Sequence, residues 1–192
     1  SRDVTTLLAL AQYIRNLGYQ AYASMNDTAL SIPMAIQAGL GEYGRHGLLI
    51  TKEFGPRIRI GKVFTDLPLA HDKPINFGVE KFCSICRECT KACPPGAIDN
   101  GNQLETIYNQ SNIPGIAKWT TDAEKCFDFW VKQVTDCSIC IRVCPYNRKM
   151  PKWAFKTWTN LMATPFRRII LWLDKIIGQG KRNAPSNWWK GH

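Results

Sequence analysis

The chain has 192 residues, 45% of them hydrophobic, and carries a formal net charge of +10. This length suits one or two domains with a buried core, and no run of 18 apolar residues predicts a membrane-spanning helix. The excess charge lies at the end, where residues 148–192 hold ten Lys or Arg and a single acid, Asp174. Because the chain starts at Ser1 rather than at Met, we expect a piece of a longer protein, and no signal-peptide pattern is present.

The first 70 residues predict a mixed α/β unit. Apolar residues at helical spacing predict a helix over 4–17, with Asp3 as its N-cap and Gly18 as its C-terminal stop. The segment over 57–64 alternates charged and apolar residues, as a half-buried strand does. Further elements are predicted in chain order: a strand over 19–24, a short helix over 31–38, and a buried strand over 48–50.

A glycine-rich block, Gly-Leu-Gly-Glu-Tyr-Gly-Arg-His-Gly, occupies residues 39–47. Its four glycines permit positive φ angles and a close approach of the backbone to a ligand. The block follows a predicted helix and not a strand, so its G-x-G-x-x-G spacing does not predict a dinucleotide site. Taken alone, the glycine-rich block is equally typical of a series of turns.

All eight cysteines fall into two sets, with none left over. The first run is Cys83-x2-Cys86-x2-Cys89-x3-Cys93-Pro94, and the second is Cys126-x10-Cys137-x2-Cys140-x3-Cys144-Pro145. In the bacterial ferredoxin spacing, the fourth cysteine of one run ligates the cluster of the other run. We therefore predict two [4Fe–4S] clusters: cluster 1 held by Cys83, Cys86, Cys89 and Cys144, and cluster 2 held by Cys93, Cys126, Cys137 and Cys140.

Two other uses of the cysteines are weaker. A disulfide framework suits a short secreted chain but would not repeat a C-x2-C-x3-C-P run twice. Structural zinc is usually bound by two separated pairs of ligands, and neither run has that form. The pattern favours a protein that transfers electrons one at a time.

The C-terminal region is basic and rich in tryptophan. This composition is typical of a nucleic-acid surface or a membrane surface, but it also arises when tryptophans pack on the body while Lys and Arg face water. We expect such packing for its five tryptophans, which are Trp153, Trp158, Trp172, Trp188 and Trp189. Residues 166–177 predict a helix and residues 183–189 an extended end. The helix would have an apolar face of Phe166, Ile169, Ile170, Leu173, Ile176 and Ile177, with Arg167, Arg168 and Lys175 off that face.

Several ordered blocks resemble corrinoid-dependent reductive dehalogenases. The resemblance covers nearly the whole chain, and the order of its blocks is more specific than any one of them. Besides both cysteine runs, the blocks are Asn26-Asp27-Thr28-Ala29, Gln37-Ala38-Gly39-Leu40-Gly41-Glu42, Gly47-Leu48-Leu49-Ile50-Thr51, Phe54-Gly55-Pro56-Arg57, Lys62-Val63-Phe64-Thr65-Asp66-Leu67 and Pro185-Ser186-Asn187-Trp188-Trp189.

The resemblance implies the C-terminal portion of the catalytic subunit and a division into three parts. Residues 1–79 would be part of a nitroreductase-like α/β domain that binds cobalamin without its lower base ligand. Residues 80–150 would be a ferredoxin-like α+β domain with two [4Fe–4S] clusters, and residues 151–192 a basic, Trp-rich extension. Electrons would pass from the distal cluster to the proximal cluster and then to cobalt, and a halide would leave the organohalide.

The resemblance also implies site residues. Asn26 and Arg59 match polar active-site positions, although Asn26 would also suit a turn or a helix cap, and Arg59 an exposed strand position. Cobalamin contacts are expected from Met25, Gly39, Leu40, Gly41, His46 and Gly47. His46 is expected to be a loop residue or a polar contact to the corrinoid rather than a cobalt ligand. The proton-donating tyrosine of the family is expected upstream of Ser1.

The family further implies partners and a location. We expect a small organohalide substrate, a membrane anchor protein, a quinol-linked electron donor, a possible homodimer and no nucleic acid. The expected location is the periplasmic, outer face of the bacterial cytoplasmic membrane, after export by an upstream twin-arginine signal. Two alternatives stay open: epoxyqueuosine reductase, a transfer-RNA modification enzyme with the same cofactors, and a non-catalytic two-cluster electron carrier.

Overall fold

The computed structural model describes residues 2–105, 107–110 and 112–181 of the chain. The predicted extended end over 183–189, with Trp188 and Trp189, lies outside these residues.

The first unit packs helix α1, Arg2–Asn16, on a two-stranded antiparallel sheet of β1, Ala21–Ser24, and β4, Lys62–Thr65. Ala11 and Ile14 of the helix form a small core with the first residue of β1. The predicted helix is confirmed, and Gly18 follows it with a φ of +94°, a conformation that glycine adopts without strain. Asp3 as an N-cap is wrong, because Asp3 lies inside the first turn. The predicted apolar face is only partly buried, since Leu8 and Leu17 remain exposed.

The predicted strand over 57–64 is too long. Strand β4 begins only at Lys62, because its partner β1 ends at Ser24, which pairs with Lys62. A strand needs a neighbouring strand for its backbone groups, and residues 57–61 pair with no other strand among the described residues. The alternation of exposure nevertheless holds, with Arg57 and Arg59 exposed and the intervening isoleucines half-buried.

The glycine-rich block forms a hairpin after helix α2, Ser31–Gln37. Strand β2, Glu42–Tyr43, pairs antiparallel with β3, Leu49–Ile50, which is buried as predicted. A Cβ on Gly41 would lie 2.2 Å from the carbonyl oxygen of Ile50, so only glycine allows the two strands to approach this closely. The prediction that the first 70 residues form a mixed α/β unit is confirmed.

Four short helices follow and carry most of the cysteines. They are α3, Val79–Cys86, α4, Glu88–Ala92, α5, Ala123–Gln133, and α6, Ile139–Val143. Helices α4 and α6 pack against each other, and each ends at the cysteine of a Cys-Pro pair. Cys93 and Cys144 both have extended backbone angles, because a following proline disfavours the helical conformation. The two cysteine runs therefore end with the same local geometry.

The C-terminal region adds helix α7, Lys152–Ala163, and helix α8, Arg167–Ile177, which pack on each other and on α3. Trp158, Met162 and Ile170 join the main core, which also contains Phe82 and Tyr146. One core thus runs across both predicted domain boundaries, at 79/80 and 150/151, and the boundaries themselves remain predictions.

Two expectations about this region are wrong. Trp153 is 75% exposed and Trp172 is 61% exposed, so of the described tryptophans in this region only Trp158 packs on the body. Helix α8 also turns most of its predicted apolar face outward, and the side that it buries carries Ile170 and Asp174. The exposed members of the predicted face are Phe166, Ile169, Ile176 and Ile177.

Candidate metal centres and the adjoining cavity

The first cysteine set lies in the main core. Helix α3 places Cys83 and Cys86 one turn apart on one face, and Arg87 adopts a φ of +56° that turns the chain into α4 and Cys89. Cys144 reaches the same place from the end of α6. All four cysteines are buried, and together they line a small cavity.

The second set lies against a much larger cavity of about 900 Å³. Cys126 comes from α5, whose N-terminus is capped by the Asp122 carboxylate accepting from the Lys125 N–H at 3.1 Å. Cys137 precedes α6, Cys140 lies within it, and Cys93 arrives from the end of α4. All four are only half-buried, and all four line this cavity.

The structure thus groups the eight cysteines as the predicted cluster pairing does, with Cys93 and Cys144 exchanged between the two runs. None of the eight forms a disulfide. Within the described ranges, no three His, Cys, Asp or Glu side chains lie close enough to hold one metal ion. A four-iron cluster does not need such closeness, because each cysteine ligates a different iron. The assignment of each ligand to its cluster stays a prediction.

The thiols are in surroundings that favour metal binding over the free thiolate. Burial raises the pKa of Cys89 to about 11 and the pKa of Cys140 to about 12. Burial likewise raises the pKa of Cys144 well above its usual value. Iron must therefore displace protons from these thiols, and its charge would remove the penalty for burying thiolates.

Arg45, which sequence reasoning did not single out, lies beside the first set. Its side chain is buried and lines the same small cavity as Cys83 and Cys144. Burial lowers its pKa. The only signal in the sequence was its position inside the glycine-rich block, next to Gly44.

His46 lies between the two cavities and lines both. Its Nδ1 accepts from the Leu48 N–H at 3.2 Å, so the ring proton is on Nε2. Nε2 is buried and has no hydrogen-bond partner among the described residues, and burial lowers the pKa of His46 to about 4. A neutral, fixed donor of this kind fits a ligand that is not protein.

Two other buried hydroxyls have no partner in the described part of the chain. Thr121 Oγ1 lines the large cavity, and a Cβ on Gly47 would lie 2.8 Å from it. Tyr146 Oη lies at the small cavity of the first set. Buried polar groups without partners are rare in folded proteins, and a missing ligand or ion is one cause. The residues present therefore fit an inorganic cluster in the small cavity and a larger polar-edged group in the large one.

The remaining predicted site residues divide into two groups. Asn26 and Gly47 line the large cavity with His46. The other predicted positions do not: Gly41 holds the hairpin together, Leu40 is exposed, and the Met25 carbonyl accepts from Lys62 Nζ at 2.7 Å. Gly39 is likewise outside the lining.

Arg59 is also outside the cavity. Its side chain is 77% exposed, and its Nη1 lies 3.5 Å from Asp3 Oδ2. Of the tyrosines, Tyr13 and Tyr22 are exposed, whereas Tyr43 lines the cavity and donates its hydroxyl proton to the Trp119 carbonyl at 3.2 Å.

Comparison with known families matches the cysteine region directly. Residues 82–147 match the model of a 4Fe-4S double cluster binding domain. This match contains all eight cysteines, so two [4Fe–4S] clusters are the metal content expected of the chain.

Whole-chain comparisons extend the likeness beyond the clusters. A tetrachloroethene reductive dehalogenase of Desulfitobacterium hafniense is 44% identical over 169 residues, which is 86% of this chain and 30% of that protein. A solved reductive dehalogenase, described as suggesting a mechanism for B12-dependent dehalogenation, superposes with a TM-score of 0.79 at 32% identity. That match covers 90% of this chain and 25% of the solved one. The chain thus spans about a third or less of the length of these relatives.

The alternative enzyme is a more distant relative. An epoxyqueuosine reductase of Lactococcus garvieae is 30% identical over 132 residues, which is 66% of this chain and 35% of that protein. Within the described residues, no helix is both long enough and apolar enough to cross a bilayer. The paired cysteine sites, the large cavity and the closer likeness along most of the chain lead to one conclusion: the chain belongs to the reductive dehalogenase family.

Proposed function

We propose that this chain is part of an oxidoreductase that removes halide from an organohalide, using two [4Fe–4S] clusters and cobalamin. The reaction would consume two electrons and one proton for each carbon–halogen bond replaced by carbon–hydrogen, or two electrons for the loss of two neighbouring halides. One observation supports this most: all four cysteines of the second set line the same 900 Å³ cavity as Asn26, His46 and Gly47. A metal cluster and a large cofactor would then be neighbours.

The cavity suits cobalamin in its residues as well as in its size. Its walls are largely apolar, as with Ile36 and Leu48, while His46 and Thr121 each present a buried polar atom without a protein partner. We propose that His46 Nε2–H donates to a polar group of the corrinoid and does not bind cobalt. The nitroreductase-like form of the complete cobalamin domain is part of the same proposal. When bound, the cofactor would supply a cobalt centre that accepts single electrons and reduces the carbon–halogen bond.

The arrangement also supports an order for the clusters. Cluster 2 would be proximal to the cofactor, because its half-buried cysteines face the cavity, whereas those of cluster 1 are closed within the core. The chain's own contribution is then to hold the two clusters at fixed positions through α4 and α6, which pack together and carry cysteines of both sets.

On the substrate side, the geometry favours Asn26 over Arg59. Asn26 lines the cavity, and its amide could hold a polar group there. Arg59 is exposed and paired with Asp3, so a role in stabilising a phenolate or a leaving halide would need a contact outside the described residues.

We extend the proposal to location and partners through the exposed side of α8. A membrane anchor protein, a quinol-linked donor and the outer face of the cytoplasmic membrane all accord with a helix whose outer side is apolar and aromatic. Vesicle flotation of the whole protein, compared with a Trp172→Ala variant, tests the membrane contact. Unchanged flotation would argue against a role for α8.

The first experiment is anaerobic reconstitution of the whole protein with iron, sulfide and cobalamin, followed by chloride assays over an organohalide panel with reduced viologen as donor. Halide release that depends on cobalamin establishes the proposal. Bound corrinoid and about eight irons without halide release would point to the transfer-RNA enzyme. About eight irons without any bound corrinoid would instead indicate a plain electron carrier. A His46→Phe variant should bind less corrinoid while keeping its iron, which separates the role of His46 from turnover.

A further inference from the structure

We propose that Arg45 is the buried counter-charge of cluster 1 and raises the reduction potential of that cluster. The inference rests on the cluster assignment in the proposed function but not on the substrate or on cobalamin.

Three carbonyl groups and an aromatic ring fix the position of the Arg45 guanidinium group. The Arg45 side chain is 1% exposed, and its Nε donates to the carbonyl oxygen of Cys83 at 3.0 Å. Its Nη1 donates to the carbonyl oxygens of Asp99 and Gly101 at 3.0 and 2.9 Å. The guanidinium carbon also lies 4.4 Å from the ring centroid of Trp119. These contacts hold the charge at one place, against the helix that carries Cys83 and Cys86.

Arg45 forms no ion pair with any described residue. Every hydrogen-bond acceptor named above is a neutral carbonyl, and the half-buried Asp99 carboxylate acts on the guanidinium charge without pairing with it. Burying an ion without an opposite charge is costly, so buried arginines are normally paired. The chain provides the contrasting case in Arg148, which is equally buried but has Asp174 Oδ2 at 2.7 Å from its Nη2.

Cluster 1 would supply the anion that Arg45 lacks. Arg45 lines the small cavity together with Cys83, Cys86, Cys89 and Cys144. A [4Fe–4S] cluster with four thiolate ligands is anionic, and reduction adds one more negative charge. A fixed cation in a site shielded from water favours the more negative state, so Arg45 should favour the reduced cluster.

One buried acid lies on the same side and acts against this effect. Glu42 is near Cys83, but its Oε2 accepts from the backbone N–H groups of Phe77 and Val79 at 2.7 and 3.2 Å. These donors already stabilise its charge. Arg87 is a second cation at the same small cavity, but it is only half-buried, so Arg45 is the fully buried cation beside the cluster. His46, which lines the same cavity, is neutral because burial keeps its pKa low.

The test compares reduction potentials in the reconstituted whole protein by EPR-monitored redox titration. A Cys86→Ser variant, with an altered ligand, identifies the signal of cluster 1. At the potential where wild-type cluster 1 is half reduced, Arg45→Met should lower its reduced-to-oxidised ratio about tenfold, which is about 59 mV for one electron. The signal of cluster 2 should keep its midpoint. Arg45→Lys, which keeps the charge, should stay close to wild type.

The matched control is the double variant Arg148→Met, Asp174→Met, which removes a buried arginine without changing the net charge. It should leave both midpoints unchanged. An unchanged cluster 1 midpoint in Arg45→Met, or an equal shift in Arg45→Lys, would overturn the proposal.

If Arg45→Met loses iron, Arg45→Gln, which keeps two N–H donors, carries the same test. Loss of cluster 1 from both neutral variants but not from Arg45→Lys would support the counter-charge, and loss from all three would overturn it. A wild-type protein without two clusters would instead refute the proposed cofactors.

Discussion

The two cysteine sites share one sequence pattern but have opposite surroundings. The first is closed inside the main core, where α3 packs against α7 and α8 and where Tyr146 and Arg45 line the cavity wall. The second is half-buried and faces a 900 Å³ cavity. The difference teaches that the cysteine run determines only which metal group is bound. The covering elements determine whether that group is isolated from solvent or faces another ligand.

The largest effect should come from removing one cysteine from each site. Cys86→Ala and Cys126→Ala should each lose about four of eight irons. Cys86→Ala should also lower the melting temperature much more, because its cluster would fill the centre of the core, whereas the second cluster would sit at a cavity wall. Iron analysis and anaerobic thermal unfolding measure both. Equal losses of stability would contradict the contrast between a closed and an open site.

Breaking the buried ion pair should uncover the first site. Arg148, four residues after Cys144, donates to Asp174 of α8 and to the carbonyls of Arg142 and Val143 at the end of α6. Arg148→Met leaves the Asp174 charge buried alone and should cost about 3–5 kcal/mol in the free energy of unfolding. Urea titration measures this cost.

The double variant with Asp174→Met is the control for that loss. Removing both charges leaves no buried ion, so much of the stability should return. A double variant as unstable as the single one would mean that packing around α8, and not the charge, keeps the first site closed.

His46 connects the two sites and should give the protein a pH-dependent stability. Its pKa in the folded state is about 4, below the value of about 6.5 for an exposed histidine, so the unfolded chain binds the extra proton first. Stability from this group is complete above about pH 6.5 and falls as the pH drops towards 4, by about 3 kcal/mol in total. Anaerobic denaturation of the reconstituted protein between pH 5 and 7.5 measures this slope.

Matched histidine variants isolate this contribution. His46→Gln should flatten the slope in that range. His71→Gln, at an exposed histidine, should leave it unchanged. A slope that persists in His46→Gln would assign the pH dependence to another group.

Several of these features could be predicted from the sequence and others could not. The grouping of cysteines follows from spacing alone, and the local rule that a Cys-Pro pair ends a helix applies to both runs. The 57–64 strand fails because a strand depends on its partner, and β1 is only four residues long. The role of Arg45 was invisible because its contacts come from residues 38, 54 and 56 positions along the chain.

Helix α8 also depends on a contact that is distant along the chain and could not be predicted from the sequence. Its apolar pattern predicted the inner face correctly for Ile170, but Asp174, a charged residue, is buried because Arg148 pairs with it. An apolar period cannot reveal a buried ion pair, so most of the predicted face turned out to be exposed.

The two sides of α8 should give the smallest predicted effect. Ile170→Ala, on the buried side, should lower the free energy of unfolding by about 2–5 kcal/mol. Trp172→Ala, 61% exposed on the opposite side, should change the free energy of unfolding by no more than about 0.5 kcal/mol. A large loss for Trp172→Ala in chemical denaturation would show that the outer side of α8 is covered in the whole protein, and the first site would then lie under two layers rather than one.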